Sequence, residues 1–274
     1  MNQAGIQYYV AMQRLISSVK KDINAQIMPI VKREAPNYLH QNPPYVKGAI
    51  TIDRWGTEVP RAIALLRDKW LAITAKFAYD QLANRFVRTA LKQADAKNKR
   101  SFGIDILQNS PQMEEYLQAA TSQNAQLIES IPMQYLDQVS NIVLGNMRQG
   151  LLPSEIAKQL EHQFGVAKRR AKFIARDQTA KVNGEMTRLR QQDAGFEYFS
   201  WHDSHDSRVR HRHREIAQAE TEYGVGVYKW SDLPTGDNGQ KIYPGSDYQC
   251  RCTARAIRNS VVEKYQASKR INVK

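Results

Sequence analysis

Apolar residues recur at three- and four-residue steps through the first two thirds of the chain, which is the spacing of amphipathic helices. The first stripe consists of Tyr9, Met12, Ile16, Val19, Ile23 and Ile27. We expect the helix that carries it to end at Pro29. A second, heptad-like stripe consists of Val59, Ile63, Leu66, Trp70, Ile73 and Phe77. It predicts a long helix from about Glu58 to Ala96, packed in a helical core or against a partner helix.

The segment between these two stripes has little periodicity and is interrupted by residues that disfavour helices. These are Pro36, Pro43, Pro44 and Gly48. We interpret residues 30–56 or so as an extended arm, of the kind that lies on partner subunits.

Helical spacing resumes in the middle of the chain, with clear start and stop signals. One helix is predicted to begin at Pro132, because proline is favoured at the first helical position, and to stop at Gly150. A short helix follows and is predicted to end at Gly165. Another long helix is predicted over residues 167–194.

The pattern changes after Gly195. Residues 196–201 alternate and are aromatic, which predicts a strand, and a second short strand is predicted between Cys250 and Ile257. Glycine-rich polar loops separate them. The predicted fold class is therefore α+β, with a mainly helical N-terminal portion of long helices and a small α+β C-terminal module of short strands.

We predict a helical N-terminal region over residues 1–120, a second domain over 121–258 and a basic tail over 259–274. No apolar run is long enough for a transmembrane helix, and the first residues lack the pattern of a secretory signal. We expect the protein to be made in a cytoplasm.

The net charge of the chain indicates what class of partner the protein binds. The chain has 40 Lys and Arg against 27 Asp and Glu, a formal net charge of +13. Such an excess favours polyanionic partners, because each neutralised phosphate releases condensed counterions. The alternatives are an inert basic surface or a face that docks on an acidic protein.

The basic residues are concentrated after Gly165 and near the C-terminus. The candidates for nucleic-acid binding are Lys168, Arg169, Arg170, Lys172, Arg176, Arg255 and Arg258. On a helix, Arg169, Lys172 and Arg176 share one face. Cations near a helix N-terminus oppose the helix dipole unless an anion is nearby, which indicates a phosphate or an acidic partner. A solvated face is the alternative.

The only two cysteines, Cys250 and Cys252, are too close in sequence for an unstrained disulfide. With His213 they provide thiolate and imidazole groups, which zinc prefers, and Asp206 or His211 is a candidate fourth ligand. The alternative is that His213 forms hydrogen bonds in the core while the cysteines pack as small apolar residues.

A Cys–His hydrolase built on Cys250 and His213 is a weaker interpretation, because the sequence offers no identifiable third orienting group. Nucleophile-elbow and phosphate-loop motifs are absent from the sequence. Asp203 and Asp206 lie in a basic segment and are expected to pair with Arg208 and Arg210. The sequence therefore predicts neither an enzyme nor a small-molecule substrate.

Short motifs follow one another at 150–160, 164–166, 171–180, 183–184, 189–192, 194–195, the strand around Trp201, 206–210, His213, 244–245 and 249–254. This ordered set between Gly150 and Ile257 resembles the phage Mu protein F-like, or head morphogenesis, family. Relatives carry a fuller set of zinc ligands at positions that here hold Arg210, His213 and Asp247. The resemblance thus implies one structural zinc at most, on His213, Cys250 and Cys252.

The resemblance also implies a minor head protein of a tailed bacteriophage, located in the interior of the phage head. Such a protein acts in procapsid assembly at the portal protein and inner capsid and contacts packaged double-stranded DNA, without a membrane. Two alternatives remain open. One is a sequence-nonspecific DNA-binding protein, and the other is a Cys/His enzyme of nuclease, hydrolase or toxin-like type.

Overall fold

A computed structural model of the chain describes residues 1–41, 55–102, 110–149 and 151–271. Six helices precede the first strand in these residues. They are α1 (Gln3–Gln26), α2 (Met28–Gln41), α3 (Trp55–Leu71), α4 (Ile73–Phe102), α5 (Pro111–Arg148) and α6 (Pro153–Asp193). None of the described helices has both the length and the apolar character that crossing a bilayer requires.

Short strands and two further helices follow α6. The strands are β1 (Tyr198–His202), β2 (Glu220–Thr221), β3 (Gly224–Val225), β4 (Val227–Lys229) and β5 (Thr253–Ile257). The helices are α7 (His211–Gln218), between β1 and β2, and α8 (Asn259–Ile271). The predicted α+β class, mainly helical with a small C-terminal sheet, is confirmed.

The described residues form two compact units, each built from separate stretches of sequence. The first contains Met1–Gly5, Arg85–Ala120 and Ala175–Lys274, and the second contains Ile6–Asn84 and Thr121–Ile174. The domain limits predicted from the sequence are contiguous, and they stay a prediction.

The second unit is helical in its described residues, and its core contains the first predicted apolar stripe except for Tyr9, which is half-buried. Met12, Ile16, Val19, Ile23 and Ile27 are all buried. Their spacing places them on one face of α1, so this part of the prediction is confirmed.

The first unit contains a three-stranded antiparallel sheet in the order β4-β1-β5. In its register Trp201 lies opposite Ala254, and His202 lies opposite Thr253. Phe199 of β1 stacks on Trp230 with ring centroids 3.9 Å apart, in a core that also contains the two cysteines. The sheet therefore fixes where the chain enters β5, directly after Cys252.

The predicted extended arm is wrong over the part that the structure describes. Residues 28–41 form α2, and Val31 is buried. The helix that carries the first stripe, α1, ends at Gln26, close to the predicted limit at Pro29. Pro29 itself lies in the first turn of α2, where a missing N–H costs nothing. Residues 42–54 of the predicted arm lie outside the described residues.

The single helix predicted from Glu58 to Ala96 is two helices, α3 and α4, which meet at a bend at Ala72. The Tyr79 hydroxyl donates to the carbonyl of Trp70 at 2.9 Å, which ties the two helices together at the bend. The phase of the buried face changes there as well, since Phe77 is exposed whereas Tyr79 is buried.

Two predicted helix limits are also wrong. Pro132 lies inside α5 rather than at a helix start, and the helices predicted on either side of Gly165 are one helix, α6. A glycine inside a helix costs only about 1 kcal/mol, which the packing of Phe164 and Ala167 offsets. The predicted stop at Gly195, which has a φ of 78°, is confirmed.

Candidate metal centre

His213 lies in the first turn of α7 and is almost fully buried. Its ring packs edge-on against Trp201 of β1, with ring centroids 5.3 Å apart. The Nδ1 atom faces the two cysteines, whereas Nε2 faces Asp247. The helix start and the sheet together thus fix the position and orientation of the imidazole.

Cys250 and Cys252 lie in an irregular segment that leads into β5. Gln249 adopts a φ of 52°, and its N–H donates to Oδ1 of Asp177 on α6 at 2.7 Å. The N–H groups of Gly245 and Cys252 both point at the sulfur of Cys250, each at 3.4 Å. Such donors stabilise a thiolate, the form in which cysteine binds metals.

His213, Cys250 and Cys252 bring three ligand atoms within 4.8 Å of one another. The Nδ1 atom of His213 lies 3.6 Å from Sγ of Cys250 and 3.5 Å from Sγ of Cys252. Typical Zn–N and Zn–S bonds at a tetrahedral angle separate a ligating nitrogen and sulfur by about 3.6 Å. The donor atoms therefore have both the chemistry and the spacing that a tetrahedral zinc ion requires.

Asp247 occupies the opposite side of the imidazole. Its Oδ2 lies 3.1 Å from Nε2 of His213 and accepts a hydrogen bond from Nη1 of Arg210 at 2.9 Å. A carboxylate on the distal nitrogen fixes the tautomer of a ligating histidine and increases its basicity. Asp247 thus orients the candidate ligand without being one of the three donors.

The ionisation of the three groups is strongly interdependent. The hydrogen bond from the Cys252 thiol is the main cause that lowers the pKa of Cys250 to about 5, against the effect of burial. The same interaction, together with burial, raises the pKa of Cys252. Burial lowers the pKa of His213, but its contacts with Cys250 and Asp247 outweigh that effect and raise it. Of the two thiols, Cys250 is therefore the one that loses its proton more readily.

Asp206 and His211, the two candidates for a fourth zinc ligand, do not join the cluster of His213 and the two cysteines. The carboxylate of Asp206 pairs with the guanidinium of Arg251 and accepts the N–H of Arg208 at 2.9 Å. His211 is exposed and pairs with Glu215 at 3.2 Å. Within the described ranges, the cluster consists of His213, Cys250 and Cys252.

Two clefts adjoin the cluster. The smaller has a volume of about 190 Å³, and the larger one of about 420 Å³. Arg176, Gln249, Cys250, Arg251 and Cys252 line both of them. The cluster is therefore reachable by a small solute from the side of α6.

The nucleic-acid-binding candidates on α6 differ in their exposure. Arg169 and Lys172 are exposed, as predicted for a cationic face, whereas Arg176 is half-buried. The ammonium of Lys168 lies over the ring of Phe164, 4.1 Å from its centroid.

The remaining three candidates lie elsewhere. Arg170 turns towards Ser130 and donates a hydrogen bond to its hydroxyl at 3.1 Å. Arg255 on β5 and Arg258 just before α8 are both exposed. Among the candidates on α6, Arg169 and Lys172 are therefore the exposed ones, and nucleic-acid binding by the whole set stays a prediction.

The sequence interpretation missed the role of Asp247 as an orienting group and the role of Gly184 in positioning the site. A Cβ at residue 184 would lie 2.5 Å from the carbonyl oxygen of Pro244, so the backbone of α6 contacts the turn before the cysteines. The signal for Asp247 was its place three residues before Cys250. No local pattern identifies the contact of Gly184, because its partner is 60 residues away.

Comparison with known proteins bears on the same region. Residues 137–255 match the family described as "Phage Mu protein F like protein". An "Uncharacterized protein" of Haemophilus influenzae is 36% identical over 184 residues, covering 63% of this chain and 38% of the relative. The chain thus spans well under half of that relative's length. No solved structure matches the chain. The resemblance inferred from the ordered motifs is confirmed over residues 137–255.

Proposed function

We propose that this chain, which shares the Mu F-like family's domain over residues 137–255, is a minor head protein of a tailed bacteriophage. In this proposal it acts in procapsid assembly at the portal, remains inside the head and contacts the packaged DNA. The observation that carries the proposal is the family match, which includes the entire His213–Cys250–Cys252 cluster. The role is structural rather than catalytic.

The charge of the chain supports the DNA contact. Arg169 and Lys172 are exposed on α6, and α8 carries Lys269 and Arg270 in its last turn. With a net charge of +13, the protein would be attracted to the high negative charge density inside a filled head.

The experiment that tests the head assignment is a protein census of purified virions and of DNA-free proheads of the parent phage, by gel and mass spectrometry. We expect a few copies of the chain in both particles, and its loss from proheads assembled without portal protein. Absence from both particles would overturn the assignment.

A sequence-nonspecific DNA-binding protein is the alternative that the charge alone supports. It predicts tight, salt-sensitive binding to any duplex and no stable complex with portal protein. Co-purification of the chain with portal protein in high salt, after nuclease treatment, separates the two proposals. Only the head assignment predicts that the complex survives.

We further propose that His213, Cys250 and Cys252 hold one zinc ion that stabilises the C-terminal sheet. The nitrogen–sulfur distances of 3.5 Å and 3.6 Å and the carboxylate of Asp247 behind the histidine support this proposal. Purified protein should contain about one equivalent of zinc, and chelation should lower its melting temperature. Metal-free protein with an unchanged melting temperature in chelator would contradict it.

The geometry also resembles a Cys–His–Asp catalytic triad, because Asp247 supplies the orienting group that the sequence did not reveal. Two features favour zinc instead. Both sulfurs are nearly equidistant from Nδ1 of His213, and both cysteines are buried. A catalytic nucleophile would be one exposed, reactive thiolate.

Alkylation with iodoacetamide distinguishes these two interpretations. Zinc ligation predicts that both cysteines resist alkylation until the metal is removed and then react together. A triad predicts rapid, selective alkylation of Cys250 in the untreated protein and unchanged reactivity after chelation.

A further inference from the structure

The three donors of the proposed zinc site leave one tetrahedral position without a protein ligand among the described residues. The smaller cleft opens onto all three donors, since His213, Cys250 and Cys252 line its wall. An open fourth position of this kind takes water or an external ligand.

The cleft is strongly cationic. Its lining includes Arg176, Arg208, Arg210 and Arg251, and no aspartate or glutamate of the described chain lines it. A zinc ion with two thiolates has no net charge, so the metal would not reverse this excess.

Three of the four arginines are already paired with carboxylates behind the cleft. Arg208 and Arg251 contact Asp206, and Arg210 contacts Asp247. Arg176 is half-buried and has no hydrogen-bond or ion-pair partner within the described ranges. A partly desolvated guanidinium without a counter-ion is costly, and an anion in the cleft would offset that cost.

The size of the cleft limits the ligand. Its volume of about 190 Å³ is below the roughly 300 Å³ at which pockets for drug-sized molecules begin. Ser204 adds a hydroxyl group to the lining. A tetrahedral oxyanion fits these conditions better than an apolar or extended ligand.

We propose that a phosphate group occupies this cleft, with one oxygen at the open position of the zinc ion and others on the guanidinium of Arg176. This inference rests on the proposed zinc site. Arg176 acts here as a binding residue for one discrete phosphate, whereas Arg169 and Lys172 form a solvated surface on the same helix. The phosphate is either free inorganic phosphate or a phosphate of a DNA strand.

The test uses the full chain with cobalt(II) in place of zinc, because the visible spectrum of cobalt(II) reports its ligands directly. Titration with inorganic phosphate should change the ligand-field bands saturably. Arg176→Gln should weaken phosphate binding about tenfold or more while leaving the thiolate-to-cobalt charge-transfer band unchanged. The control is Lys264→Gln on α8, which removes one exposed cation that lines neither cleft. It should leave phosphate affinity unchanged.

Three outcomes decide the matter. If cobalt binds through thiolates but its ligand-field bands do not change when phosphate is added, the phosphate proposal is wrong and the metal site stands. If no thiolate-to-cobalt band appears, both are wrong. If phosphate binds equally well to Arg176→Gln, the assignment of Arg176 is wrong.

A second titration identifies the source of the phosphate. Short single-stranded oligonucleotides without a terminal phosphate should produce the same spectral change if the source is the DNA backbone. A response to inorganic phosphate alone would identify free phosphate as the ligand, and either result supports the cleft as a phosphate site.

Discussion

His213 and Asp247 are joined through Nε2 and Oδ2, 3.1 Å apart, on the side of the imidazole opposite the two sulfurs. This contact settles which ring nitrogen is available to a metal. It also makes Asp247 a residue whose charge affects the metal centre without direct ligation.

Asp247→Asn should therefore weaken zinc binding about tenfold or more, because an amide increases the basicity of the imidazole less than a carboxylate does. Competition with a chromophoric zinc chelator measures the affinity. The control is Asp232→Asn, which neutralises an exposed carboxylate that contacts Lys241 at 3.2 Å. Equal affinity in both variants would exclude an orienting role for Asp247.

The contact between α6 and the turn before the cysteines predicts opposite effects for two glycines of one helix. Gly184→Ala should lower stability by about 1–3 kcal/mol, because its Cβ would lie 2.5 Å from the Pro244 carbonyl oxygen. Gly165→Ala should raise stability by about 0.5–1 kcal/mol, since its Cβ would meet only the guanidinium of Arg169 at 3.5 Å. Thermal denaturation of both variants checks the signs, and a stabilised Gly184→Ala would show that the contact is loose.

The guanidinium of Arg190 is buried and meets Asp95 through two hydrogen bonds, at 2.8 Å and 3.1 Å. Asp95→Asn removes the charge from this paired interaction and should cost about 1.5–3 kcal/mol of unfolding free energy. Urea denaturation measures that loss. Asp193→Asn, at the exposed end of α6, serves as the control and should change stability by less than about 0.5 kcal/mol. Similar losses of unfolding free energy in both variants would show that the Arg190–Asp95 pair does not stabilise the fold more than an exposed carboxylate does.

Helix α8 is attached to β2 by the carboxylate of Glu220, which accepts hydrogen bonds from Lys269 and Tyr265. The hydrogen bond from Lys269, followed by that from Tyr265, lowers the pKa of Glu220 below 4.5. A depressed carboxylate stabilises the fold above its unfolded pKa, and that contribution is lost as the pH falls through its folded pKa.

Lys269→Gln should accordingly raise the pKa of Glu220 towards 4.5, as measured by NMR titration of the side-chain carboxyl carbon. Both partners are exposed, so the change in global stability should be small. Lys264→Gln provides a charge-matched control on the same helix. An unchanged Glu220 pKa would mean that the pair does not form in solution.

The exposed cations of α6 predict a change in the salt dependence of DNA binding. The double variant Arg169→Gln/Lys172→Gln should reduce the slope of log K against log salt by about 1–2, since each phosphate contact contributes about 0.9. The double variant Arg14→Gln/Lys21→Gln on α1 removes two other exposed cations and should leave the slope unchanged. Equal slopes in all proteins would exclude α6 from DNA binding.

The spacing of apolar residues along the chain correctly predicted the elements that have one regular buried face. The stripe from Met12 to Ile27 is buried, and the strand pattern around Phe199 is a strand. No proline or glycine marks the bend at Ala72, so the apolar spacing predicted one continuous helix where the structure has two. Glycine often ends a helix, which is why a stop was predicted at Gly165, but Gly165 lies inside α6, a long and well-packed helix.

The candidate site was predictable in its residue types but not in its arrangement. The chemistry of zinc selected His213, Cys250 and Cys252, and the structure brings them together. The roles of Asp247 and Arg176 depend on contacts across tens of residues, namely Asp247 with His213 and Arg176 with the cysteine segment. The place of Asp247 three residues before Cys250 marks it as a candidate, but sequence spacing alone does not reveal which residue it contacts.

The close approach of Gly184 to Pro244 also affects how the protein could recover from mutation. A second-site suppressor usually restores room by shortening a neighbouring side chain. Here the neighbouring group is a main-chain carbonyl, which every amino acid has and which no substitution can shorten. Revertants selected for restored stability of Gly184→Ala should therefore regain glycine at that codon, rather than accumulate compensating changes nearby.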